Sequence, residues 1–240
     1  MKTKVKVLLL ITAAIVGGVM FTSRETPQEK EARHLRRGNE YMAKGEVEKA
    51  RVEYRNAAKL MPVDPEISYR WALLDEAEGN IRNAYANYLR AEQQDPHYAP
   101  ALLKIAQYQL VISQYAEVEK RIETVLSDDP DNAMAHALKA ALHLRRKEHD
   151  RAREEVQKAQ AKDPANITSF AVLAGLHLAE GNLEKAEAAV DEGIAKNPGD
   201  MSLLLLKVKM FEKPLNVEKV NAAYQEIIKL QPGDRRVRAI

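Results

Sequence analysis

The sequence predicts an all-α fold: six helical hairpins of equal length stacked side by side, preceded by an N-terminal apolar helix. Three observations predict it. The tetrapeptide Ala-Glu-Gly-Asn stands at Ala77–Asn80 and again at Ala179–Asn182, 102 residues apart, which is three times 34. Prolines fall at Pro62, Pro96, Pro130, Pro164, Pro198 and Pro232, each step 34. Twelve residues before each proline stands a small or β-branched residue (Ala50, Ala84, Val118, Ala152, Ala186, Val220), and four residues later a bulkier one (Tyr54, Tyr88, Ile122, Val156, Val190, Tyr224). Self-similarity at such a period marks repeats that cover one another's apolar flanks.

The chain starts Met-Lys-Thr-Lys-Val-Lys, and the run Val7–Ser23 then carries no charge over 17 residues. A basic start and an apolar stretch are two of the three parts of a secretory signal. The third, an A-x-A cleavage site, is poor: Met20, Phe21 and Thr22 fill its place. The length is at the short end of what spans a bilayer. The segment reads as an uncleaved signal anchor, with a cleaved signal as the alternative. Lysines before the run and mixed charges after it put the body outside the cytoplasm, anchored at the inner membrane with the repeats in the periplasm. Residues 24–30 read as a linker.

The repeats follow as 31–64, 65–98, 99–132, 133–166, 167–200 and 201–234. Each has room for two helices of three to four turns; in the fifth these are Ile167–Glu180 and Leu183–Lys196, with apolar residues at i, i+3, i+4 and i+7. The first helices carry a small residue at Gly38, Ala72, Ala106, Ala140 and Ala174, with Val208 last. Small residues let helix axes approach, and large ones fill the space between them. In Ala-Glu-Gly-Asn, Gly79 and Gly181 end the first helix in the left-handed conformation, and Asn80 and Asn182 suit the cap of the second. Gly45 occupies the same slot; Ser113, Lys147 and Leu215 depart from it, and Pro214 supplies the break in the sixth repeat. Asp95, Asp129 and Asp163 before prolines, and Asp131, Asn132, Asn166 and Asp200 after them, are placed to supply turn and cap oxygens. The last helix, Asn216–Leu230, leaves Tyr224 and Ile228 partly uncovered, a face for self-association or for another protein, unless the tail at 235–240 folds over it.

This pattern resembles the tetratricopeptide repeat (TPR) family, whose signature is W-x2-L-G-x2-Y, A-x3-F and P over 34 residues. The first repeat gives Gly38, Tyr41, Ala50, Tyr54, Ala57 and Pro62 in register. His34 replaces the first aromatic residue, and Asp75 and Gln109 replace the later tyrosine. The resemblance covers residues 31–234 and implies a right-handed α-solenoid with a groove that binds a protein or peptide. The first repeat, behind an export signal, also resembles that of the periplasmic TPR lipoproteins of exosortase-type (PEP-CTERM) sorting and exopolysaccharide assembly. Those carry a lipobox cysteine and more repeats, which this chain lacks.

Chemistry-bearing patterns are sparse, and the chain reads as a non-enzyme without cofactor or metal. With no cysteine, disulfides, thiolate metal sites and a cysteine nucleophile are excluded. Of the histidines, His136 and His143 share a helix face, while His143 and His177 occupy equivalent aromatic packing slots. The acidic pairs Asp128/Asp129 and Glu154/Glu155 read as solvated surface. Without Lys2, Lys4 and Lys6 the body has 34 basic against 35 acidic residues, and no basic stripe points to nucleic acid.

The resemblance places the groove on the first helix of each repeat. The corresponding positions are Leu35, Asn39 and Met42; Tyr69, Leu73 and Glu76; Leu103, Gln107, Leu110 and Val111; Ala137, Ala141 and Leu144; Ala171, Gly175 and Leu178; and Leu205, Lys209 and Glu212. Its middle is small and apolar and its ends are polar, the anatomy of a site for an amphipathic helix or apolar segment of a partner. Packing within the array is the alternative use of the same residues. The function expected is a protein–protein scaffold in envelope assembly or secretion. The alternatives are a soluble exported, chaperone-like binder and an accessory subunit of an envelope glycosyltransferase or sorting enzyme.

Overall fold

The computed structural model describes residues 25–212 and 216–230. The expected N-terminal apolar helix, the break at Pro214 and Leu215, and the tail after Leu230 lie outside the described residues. Twelve α-helices and no strands are found among the described residues. They form two compact lobes, divided between Tyr98 and Ala99. The first lobe holds α1 (Pro27–Ala43), α2 (Val47–Leu60), α3 (Pro65–Ala77) and α4 (Ile81–Gln94). The second holds α5 (Ala99–Val111), α6 (Tyr115–Asp128), α7 (Ala133–Arg145), α8 (His149–Lys162), α9 (Ile167–Ala179), α10 (Leu183–Lys196), α11 (Met201–Glu212) and α12 (Val217–Leu230). Consecutive odd and even helices pack as hairpins.

The periodic prolines set the ends of the second helices. Helices α2, α4, α6, α8 and α10 each stop two residues before Pro62, Pro96, Pro130, Pro164 and Pro198. Proline has no N–H for the next helical bond, and its ring clashes with the preceding turn. The residue before three of these prolines bonds across the turn: Asp95, Asp129 and Asp163 accept from the N–H of His97, Asp131 and Ala165 at 2.9, 3.2 and 3.0 Å. Asn132, Asn166 and Asp200 accept from the third N–H of the helix that follows, at 3.0 Å each. Asp131 does not cap; it pairs with Lys162 at 2.6 Å. At the start of α1, Thr26 and Glu29 form a reciprocal capping box.

The turns inside the hairpins repeat one hydrogen bond. The N–H of Glu46, Asn80, Gln114, Glu148, Asn182 and Asn216 donates to the carbonyl five residues earlier, on Tyr41, Asp75, Gln109, His143, His177 and Phe211, at 2.7–3.1 Å. This is the long bond of a Schellman turn, which needs a left-handed residue. Gly45, Gly79 and Gly181 supply it with φ of 71°, 77° and 75°. Ser113 and Lys147 adopt the same conformation, with φ of 63° and 62°. The turn therefore persists where the sequence departs from glycine, at a local cost. Asn182 caps α10 by accepting from Lys185 N–H at 3.0 Å. Asn80 does not cap; its amide donates to Glu78 at 3.2 Å.

The alternation of small and large residues builds the core. Ala50, Tyr54, Ala57, Ala84, Tyr88, Ala91, Val118, Ile122, Val125, Ala152, Val156 and Ala159 are all buried. The polar departures from the tyrosine slot are matched inside their own hairpins. Asp75 accepts from the Asn87 amide at 2.8 Å, and Gln109 accepts from the Arg121 guanidinium at 2.9 Å; both partners lie twelve residues on. Hairpins within each lobe are joined by ion pairs 27 residues apart: Arg51 with Glu78 in the first, and Glu119 with Arg146 and Arg153 with Glu180 in the second. The Glu119–Arg146 pair is bidentate, at 2.8 and 3.2 Å.

Candidate functional site

In the first lobe, most of the expected groove residues are drawn into packing. Leu35 and Met42 lie against Ala50, Tyr54 and Leu74. Asn39 accepts from the Tyr54 hydroxyl at 2.7 Å, and burial pushes that hydroxyl up to about 12. The Tyr69 ring is flanked by Tyr88 and Tyr98, with ring centres at 5.6 and 5.8 Å. Leu73 and Glu76 are half-buried on α3.

In the second lobe, α5, α7, α9 and α11 pack one against the next. Three rows of equivalent residues cross them in steps of 34: Leu103, Ala137, Ala171, Leu205; Gln107, Ala141, Gly175, Lys209; and Leu110, Leu144, Leu178, Glu212. Within each helix the rows are separated by four and then three residues, so they share one face. Leu178 is 39% exposed and Leu205 52%, and Val111, beside the third row, is 78% exposed. Leu103 and Leu110 are half-buried against Leu102, Ala106 and Leu138. Ala141, Leu144 and Ala171 are likewise half-buried against the core.

The small residues at the middle of this face do not open a channel. Ala137 is fully buried and presents no surface, because α5, α7 and α9 close over it. A Cβ on Gly175 would come within 2.6 Å of Leu144 Cδ2, so Gly175 is the seat of that leucine. The accessible apolar surface therefore lies at the margins of the expected groove, on Val111, Leu178 and Leu205. Gln107 is half-buried, its amide 3.8 Å from Met134 Sδ, while Lys209 and Glu212 are exposed. On α12, Tyr224 packs against Leu204, Val208, Ala223 and Ile227, and Val217 is exposed.

Four of the six histidines lie against carboxylates. His34 Nδ1 lies 2.6 Å from Glu53, and His136 Nδ1 lies 2.6 Å from Glu155, the same arrangement 102 residues on. His136 Nε2 is 2.9 Å from the Pro130 carbonyl, and His143 Nδ1 is 2.5 Å from Glu148. His177 titrates below the usual range because burial, Lys185 and Arg153 disfavour its charged form. Glu155, expected as solvated surface, is only 5% exposed; α8 turns it inward onto His136. Burial alone would raise its pKa, but hydrogen bonds from Lys158 and His136 outweigh that and lower it. Among the described residues, no three His, Cys or carboxylate side chains gather into a metal-binding group.

A model of the tetratricopeptide repeat family matches residues 76–142 and 143–208. A search of curated protein sequences finds no match. Among solved structures, a tetratricopeptide repeat protein from Parabacteroides merdae is similar at a TM-score of 0.67 and 16% identity, covering 93% of this chain and 87% of that one. PilF of Pseudomonas aeruginosa is similar at a TM-score of 0.59 and 18% identity, over 90% and 98%. PilW, a type IV pilus biogenesis factor, is similar at 0.61 and 16% identity, over 87% and 97%. At these identities the likeness is one of fold.

Proposed function

Because the chain belongs to the tetratricopeptide repeat family, we propose that it is a non-catalytic scaffold that holds an apolar or amphipathic segment of a partner protein on the first-helix face of its second lobe. One observation carries this reading: Val111, Leu178 and Leu205 are large apolar residues left exposed on three helices that share that face. Apolar patches with polar margins are where soluble domains meet partners.

The proposal extends to location and setting. Lys2, Lys4 and Lys6 followed by the uncharged run Val7–Ser23 support an anchor in the inner membrane, with the repeats outside the cytoplasm. Among the described residues, no helix is long and apolar enough to cross a membrane. The setting proposed is envelope or exopolysaccharide assembly or secretion, including the sorting systems whose TPR lipoproteins the first repeat resembles. PilW's part in type IV pilus biogenesis is compatible with such a setting. A soluble exported form differs only in cleavage after the apolar run, which the intact mass of the mature chain distinguishes. Self-association through α12 is a further proposal, tested by sedimentation at several concentrations.

The test is site-specific photocrosslinking in cells. A crosslinker at Leu178 or Leu205 should trap a defined partner, and one at Val52, exposed on the second helix α2, should not. Equal adducts from all three positions, or none from the first-helix face, would refute the reading.

A further inference from the structure

We propose that the segment held on this face is an amphipathic one with acidic flanks, and that Arg145 and Lys209 select it by charge. The inference rests on the binding face proposed above and names what that face prefers.

The observation is how charge is divided between the two helix layers of the second lobe. In the hairpins formed by α5 to α10, every carboxylate within a helix lies on a second helix, α6, α8 or α10. Helices α5 and α7 carry Lys104, Lys139 and Arg145 and no acid, and α9 carries neither acid nor Lys or Arg. On α11 the charged residues are Lys207, Lys209 and Glu212. Periodic stacking does not require this division, since exposed positions on a helix tolerate either sign.

The cations differ in what holds them. Lys139 turns back to Glu155 at 3.6 Å, and Lys207 to Asp191 at 2.7 Å. Arg145 and Lys209 are exposed and pair with no carboxylate among the described residues. Arg145 follows Leu144 in the third row, and Lys209 stands four residues after Leu205 on the same face of α11. The carboxylates in the turns nearest Leu178 and Arg145 are already engaged. Glu148 pairs with His143 at 2.5 Å and with Arg151 at 3.5 Å, and Glu180 pairs with Arg153 and with His177 at 3.2 Å. On the first helices of this lobe Arg145 and Lys209 outnumber the single carboxylate, Glu212, so the apolar strip favours an apolar segment bordered by carboxylates over its basic counterpart.

The test uses the full-length chain in detergent and two fluorescent helical peptides with the same leucine spacing, one flanked by glutamates and one by lysines. The glutamate peptide should bind about three- to tenfold more tightly at low salt, with the preference shrinking as salt is added. Arg145→Glu with Lys209→Glu should abolish or reverse the preference. Leu178→Ser with Leu205→Ser, which removes apolar surface without adding charge, should weaken both peptides alike. Equal affinity for the two peptides, or a preference untouched by the Arg145/Lys209 double variant, overturns the charge selection while leaving the face intact. Failure of both peptides to bind overturns the face and the selection together.

Discussion

The ring of Tyr54 stands where a Cβ on Gly38 would sit, with Cε1 2.3 Å and Cδ1 2.6 Å from that position. The ring cannot step aside: it is 1% exposed, and its hydroxyl is fixed by Asn39. Gly38→Ala should therefore destabilise the first lobe by about 2 kcal/mol, the usual cost of overpacking. Tyr54→Phe keeps the ring and should cost only about 1 kcal/mol for the lost hydrogen bond. Urea unfolding followed by circular dichroism measures both, and equal costs would show that the ring has room to move.

Ser113 and Lys147 hold a left-handed conformation that glycine adopts without penalty. Ser113→Gly and Lys147→Gly should each stabilise the second lobe by about 1 kcal/mol. Gly79→Ala, at the equivalent turn, should cost the first lobe a similar amount. Thermal melts of the three single variants check the opposite signs.

The Asp75–Asn87 and Gln109–Arg121 bonds each tie one hairpin together. Removing one partner leaves the other without its bond in a partly buried place, so Asp75→Ala should cost about 1–3 kcal/mol. The double variant with Asn87→Ala should cost less than the two single variants summed, with a coupling of about 1 kcal/mol. Additive costs would mean that the bond contributes nothing in solution.

Glu31, in the first turns of α1, is 8% exposed, and its Oε1 has no hydrogen-bond partner among the described residues. Burial first, then the charges of Asp64 and Glu66, push its carboxyl above the usual range. The folded chain therefore holds this proton more tightly than the unfolded chain. The stability it supports is full below the ordinary glutamate range and is lost as pH rises through the raised value. Glu31→Gln should stabilise the first lobe by about 1 kcal/mol at neutral pH and have little effect at acid pH, where the carboxyl is already neutral. Glu119 runs the other way. The Arg146 hydrogen bond lowers its pKa, so its contribution is present above the ordinary range and lost as pH falls through the lowered value. Urea titrations at several pH values, comparing each variant with the parent chain, test both signs.

The hairpins were legible because their punctuation is local. Proline ends a helix wherever it falls, and glycine at Gly45, Gly79 and Gly181 marks a left-handed turn through its own conformational freedom. The fifth repeat's helices, expected at Ile167–Glu180 and Leu183–Lys196, run Ile167–Ala179 and Leu183–Lys196. The turns at Ser113 and Lys147 were not legible from residue type; there the surrounding hairpin imposes the conformation. The binding face was only half legible. Ala137, Ala141 and Gly175 suit a shallow groove and a close helix contact equally well, and only three-dimensional packing decides between them. Glu155 was misread for a related reason: its own helix exposes most of its charged residues, and its burial depends on His136 in the preceding helix. The basic bias of the first helices was in the sequence throughout. It becomes visible once helix boundaries sort the carboxylates by layer.

The twelve-residue interval between each polar slot and its partner bears on how such an array is inherited. Asp75 finds Asn87, and Gln109 finds Arg121, without help from a neighbouring repeat. A recombination event that exchanges whole 34-residue blocks carries each matched couple along intact. A crossover inside a hairpin would instead set an aspartate against an arginine or a glutamine against an asparagine, couples whose reach and charge differ from those the two helices now hold.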